Sequence, residues 1–119
     1  MKPEIKSISV ITINDEVPFR DYIPANLDDF NVTLRLYAGP EGLEGEESFD
    51  IIICTPKWLL ANNIDNDVII ARHHMIVFKY DYARIRSAIE SFLKKCSGKD
   101  WNECALKLSR LGFWEFEDY

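Results

Sequence analysis

His73 and His74 are the only histidines in this 119-residue chain, and they are the first place to look for a metal ligand or a general base. Adjacent side chains on an extended strand point to opposite faces, so the pair cannot close on a single ion. Cys54 and His73 could form a thiolate–imidazole couple across neighbouring strands. Cys54, however, ends the apolar run Ile51-Ile52-Ile53, and burial keeps a thiol protonated and inert. Core packing is the stronger reading of both residues. Glu41, Glu44, Glu46, Glu47 and Asp50 crowd one short stretch with enough carboxylates for paired acid–base work, but acids on a glycine-rich loop read as solvated surface rather than a cleft. The chain carries no glycine loop of the phosphate-cradling kind, no serine-centred elbow and no metal-ligand spacing. Cys54, Cys96 and Cys104 are odd in number and form no C-x-x-C pair, which indicates neither a disulfide framework nor a zinc site. The expectation is a protein without catalysis, cofactor, metal or small-molecule substrate, holding free core thiols.

Charge placement says more. Residues 14 to 50 hold ten acids against two bases, a local net charge of −8 in a chain whose total is −6. Such a surface repels phosphate backbones and raises the encounter rate with a basic partner, an effect that salt weakens. The expected partner is therefore a protein and not nucleic acid. No apolar run approaches the roughly 20 residues of a membrane helix, and the start lacks a signal-peptide core. No membrane association and a cytoplasmic location are expected. Hydrophobic residues make up 47% of the chain, enough for one packed domain spanning 1–119.

The elements that must position any site follow from periodicity. Residues 5 to 13 alternate as a first strand with one slip near Lys6 and Ser7. Residues 14 to 31, with Pro18 and Pro24, read as a long loop with one helical turn around Asn26 to Phe30. Residues 32 to 38 alternate strictly, as a strand with one wet face does. Three glycines in residues 39 to 47 then reverse the chain into Phe49 to Cys54, whose continuous apolar character predicts a central strand buried on both faces. Thr55 followed by Pro56 is a helix start. Residues 68 to 80 return as a fourth extended segment with Met75 to Phe78 as its apolar end. Asp81 caps a helix over 82–96, and Asp100 caps one over 100–111 with Glu103 as a capping-box candidate. Arg84, Arg86, Lys94, Lys95, Lys99 and Lys107 read as the solvated backs of these two helices. Strands first and helices last predict an α+β fold: a mainly antiparallel sheet of at least four strands, the two C-terminal helices packed on it, and a short helix after the central strand.

The C-terminal tail Trp114-Glu115-Phe116-Glu117-Asp118-Tyr119 alternates aromatics with acids. Two readings stand side by side: an edge segment packing its aromatics on the sheet, or a contact surface of large rings beside charges.

Three blocks carry a family pattern: Gly39-Pro40-x-Gly42-x-x-Gly45-Glu46-Glu47-Ser48-Phe49-Asp50 continuing to Cys54-Thr55-Pro56-x-Trp58-Leu59-Leu60; Arg72-His73-x-x-Ile76-Val77-Phe78-x-Tyr80-x-Tyr82; and Trp101 through Ala105, Lys107-Leu108, Arg110-Leu111-Gly112 to the tail. On these the chain resembles the immunity protein 8 family of bacterial polymorphic toxin systems, over roughly residues 32 to 119. The resemblance implies a small cytoplasmic protein that binds and neutralises a cognate toxin domain and has no active site. Specificity belongs to loops, so the expected contact set is Glu41, Glu44, Glu46 and Glu47 of the hairpin with Asp28 and Asp29 before it. The alternative contact set is Trp114, Glu115, Glu117, Asp118 and Tyr119. Two other functions compete: an adaptor or regulatory module using the same acidic surface, and a small enzyme using Cys54 with His73.

Overall fold

The computed structural model describes residues 1–117. Six strands form one sheet: β1 (Pro3–Ile11), β2 (Glu16–Pro18), β3 (Asn31–Pro40), β4 (Glu47–Cys54), β5 (His74–Ile76) and β6 (Phe113–Trp114). Their order is β2-β1-β3-β4-β5, with β6 also on β4. All pairings are antiparallel except β4 with β5, which is parallel. A parallel neighbour needs a crossover, supplied here by α1 (Pro56–Asn62) and the connection after it. The remaining helices are α2 (Tyr82–Leu93) and α3 (Trp101–Leu108). The expected α+β fold is thus observed.

Local chemistry places these elements. Thr55 Oγ1 accepts the Trp58 amide, Asp81 the Arg84 amide and Asp100 the Glu103 amide, so each predicted N-cap holds its helix start. Glu103 does not close the capping box; its carboxylate lies 3.6 Å from Lys107 Nζ one turn on. The slip in β1 is a β-bulge between Ile5 and Ser7 against β3. The extra residue is Lys6, and it restores the alternation that puts Ile8 and Val10 on the same face as Leu36 and Leu34. Phe49, Ile51 and Ile53 of β4 share that face, and Ile85, Ile89 and Leu93 of α2 with Ala105 and Leu108 of α3 close over it as one core. Burying each large side chain there is worth about 1.5–3 kcal/mol.

Three expectations need correction. β4 is central but not buried on both faces. Its other face carries Asp50 and Ile52, half-exposed, beside Arg35 and Thr33 of β3, and only Cys54 is fully covered on that side. The apolar run disguised this, because Asp50 is neutralised by a two-pronged ion pair with Arg35, 2.8 and 3.0 Å. The fourth strand is three residues rather than a long extended segment, with residues 68 to 73 in the crossover. Residues 14 to 31 are not merely a loop: β2 pairs with β1, a 3₁₀ turn over Phe19–Asp21 follows, and residues 26 to 29 form turns without a helix.

Candidate functional site

The hairpin loop between β3 and β4 holds Glu41, Glu44 and Glu46 exposed to solvent. Gly42 and Gly45 take φ of 75° and 103° to close the turn, a region where a side chain is costly. The loop is anchored rather than free. Lys6, brought to the surface by the bulge, donates to the Leu43 carbonyl at 2.7 Å and pairs with Glu4 at 2.6 Å. Glu4 in turn accepts the Gly42 amide at 3.2 Å, and these contacts hold the Glu4 carboxyl below its usual range, the Lys6 ammonium being the main cause.

Glu47 differs from the other three. Its Oε1 accepts the indole N–H of Trp101 at 2.7 Å and that of Trp114 at 3.0 Å, so its carboxylate clasps two half-buried rings and is committed inside the fold. Phe49 lies against both rings, stacked with Trp114 and edge-on to Trp101.

Asp28 and Asp29 lie far from this loop. The Phe30 amide donates to Thr55 Oγ1 and Asp28 sits 4.0 Å from Lys57, which places the pair at the opposite end of β3. Ten residues at about 3.3 Å each put roughly 30 Å between the two acidic groups. They do not form one patch.

The tail residues are mostly ties. Glu115 exchanges two bonds with Ser48: its amide donates to the Ser48 carbonyl, and its Oε1 accepts the Ser48 amide. Glu117 pairs with Arg72. Trp114 is half-buried as described, and Phe113 lies edge-on to His73 with ring centroids 3.9 Å apart. Asp118 and Tyr119 lie outside the described residues. Through residue 117 the tail is an integrated edge segment that pairs with the first half of β4, while β5 pairs with the second half.

His73 occupies the junction between those two partners. It is 4% exposed and adopts φ 63°, unusual for a residue with a side chain. Its Nε2–H donates to the Ser109 carbonyl at 2.6 Å, and among the described residues its buried Nδ1 has no partner. His74, on the open face opposite Ile52, accepts no shared task with it, as alternation requires. Burial pushes the Cys54 thiol up, away from the thiolate that nucleophilic chemistry needs. Among the described residues no three His, Cys, Asp or Glu side chains converge to hold a metal ion. No helix among them is long and apolar enough to cross a membrane.

Sequence reasoning missed one surface. Leu60, Ile64, Val68, Ile70 and Phe78 are 77 to 89% exposed, with Ile69 and Ile76 about half so. The signal was the apolar triplet at 68 to 70 next to the Asp65 and Asp67 turn, which reads as strand because such runs are ordinarily buried.

The three sequence blocks are thus tied to one another by Glu47 with Trp101 and Trp114, Ser48 with Glu115, and Arg72 with Glu117. No curated protein and no solved structure matches the chain. Residues 4–119 match the family model described as immunity protein 8, and the chain belongs to that family.

Proposed function

We propose that this chain is a cytoplasmic immunity protein that binds a cognate bacterial toxin domain and neutralises it by occupancy, as a single domain and without catalysis. Family membership over essentially the whole chain carries the reading. The residue chemistry supports it: burial pushes the Cys54 thiol toward its protonated form, and Glu115 and Glu117 of the tail are spent on structural ties.

Electrostatics supply the second support. Glu41, Glu44 and Glu46 at one end of β3 and Asp28 and Asp29 at the other spread negative potential over roughly 30 Å of the molecule. A basic toxin domain is drawn in faster and oriented by such a field. Exposed acids of this kind act on association rate more than on the lifetime of the complex. Glu47 belongs to the fold instead.

The test is co-expression of the chain with the toxin domain encoded in the adjacent reading frame. Rescue of growth together with a stable complex is expected, and Cys54→Ala and His73→Ala should rescue as long as they fold. Rescue without any complex, or its loss in a folded Cys54→Ala protein, would revive the enzyme reading.

A further inference from the structure

From the edge of the sheet we infer that the toxin seats on the crossover between α1 and β5 and on the open edge of β5, an exposed apolar surface whose unpaired border charges are mainly acidic. This rests on the immunity reading above and adds the place of contact. Leu60, Ile64, Val68 and Ile70 stand out from a connection with no buried apolar side chain between Pro56 and Arg72. Ile76 of β5 and Phe78 just beyond it are exposed as well. A folded chain ordinarily hides most of such a set, and a concentrated exposed apolar surface marks a binding site.

The β5 edge adds main-chain capacity. The His73 carbonyl accepts the Ile52 amide and the Val77 amide donates to the Cys54 carbonyl, so those residues face β4. Alternation turns the Ile76 amide and carbonyl to the other side, where β5 ends the strand order. Beside this edge a cleft of about 580 Å³ opens between β5 and α2, lined by Met75, Val77, Ile85 and Ala88 together with the cations Lys79 and Arg84. It can receive an apolar side chain from an extended segment laid along the edge.

Charge decides the kind of occupant. Asp65 and Asp67 lie in the crossover itself and are exposed, and among the described residues no cation pairs with either. The loop bearing Asp28 and Asp29 is bound to the same end of the molecule: the Tyr80 amide donates to the Leu27 carbonyl at 2.6 Å, and the Thr55 amide to the Phe30 carbonyl. Lys57 pairs with Asp28, Arg72 with Glu117 and Arg84 with Asp81, which among the described residues leaves Asp29, Asp65 and Asp67 against Lys79. An apolar centre with this mainly acidic border fits a protein surface that projects apolar side chains beside basic ones. A second copy of this chain fits worse, because two chains of net charge −6 repel each other. The hairpin acids, some 30 Å away by the strand rise, remain outside this seat and serve approach only.

Single variants Ile64→Lys and Ile70→Lys test the inference, since both side chains are exposed and the changes spare folding. Affinity for the purified toxin domain from the adjacent reading frame should fall by about 30-fold or more, the effect of losing an interface anchor, with unchanged melting. Glu44→Lys with Glu46→Lys should change affinity by less than about fivefold, through the association rate. Wild-type binding that survives both isoleucine variants, or a 30-fold loss confined to the hairpin variant, would overturn the seat while leaving the immunity reading intact. Absence of wild-type binding would remove the immunity reading and the seat together. A wild-type dimer dissolved by Ile70→Lys would make the occupant a second copy and also overturn it.

Discussion

Replacing Glu47 by alanine removes one oxygen that serves two indole N–H groups, at 2.7 and 3.0 Å. A hydrogen bond to a charged group is worth about 1.5–3 kcal/mol when buried, and leaving the donor unpaired adds to the loss. Because Glu47, Trp101 and Trp114 are half-buried, water repairs part of the damage, so the two bonds together should cost about 2–3 kcal/mol. For a domain of this size each kcal/mol moves the melting temperature by about 4 °C, which gives a drop of about 8–12 °C. Glu47→Gln keeps a carbonyl acceptor in place and should lose about half as much. Calorimetry of the three proteins gives the numbers, and tryptophan emission reports whether the tail ring moves into water. If Glu47→Ala melted within about 2 °C of wild type while toxin binding fell sharply, the residue would be a contact carboxylate and the clasp reasoning would be refuted.

Burial pushes the Tyr80 phenol up to about 12, whereas an unfolded tyrosine ionises near 10; the folded state therefore holds a proton that the unfolded state releases. Stability should be intact below pH 10 and fall by up to about 2–3 kcal/mol as pH rises from 10 to 12; urea unfolding across that window should show a shallower fall for Tyr80→Phe. Ile51→Asp or Ile53→Asp places a carboxylate among fully buried side chains, a penalty comparable to the whole stability of about 5–15 kcal/mol. Both should give no cooperative melt, and a wild-type-like melt would contradict the described core.

What was legible in the sequence is what is local. Thr55, Asp81 and Asp100 announce their helices by bonds three residues away, and the strict alternation of β3 states its own register. The bulge at Lys6 was visible as a break in period. Strands of two or three residues have no period to read, so β2 is not legible, β6 is legible only as one of the two readings of the tail, and β5 reads as longer than it is. Partners 54 and 67 residues away in sequence make Glu47 a clasp, and nothing in the glycine-rich run around it distinguishes that acid from Glu46. The left-handed backbone at His73 has no glycine to announce it. The crossover shows the deeper limit: Val68-Ile69-Ile70 has the composition of a buried strand, and composition is the same whether the cover is this chain's own core or another protein.

The most direct test of the central claim is growth of cells producing the toxin domain from the adjacent reading frame, with wild-type chain, Ile70→Lys or the Glu44→Lys and Glu46→Lys double variant supplied in trans. The account predicts full protection by wild type, loss of protection by Ile70→Lys at equal folded abundance, and protection retained by the double variant at physiological salt. Cells that die equally with wild-type chain present at high folded abundance would contradict it.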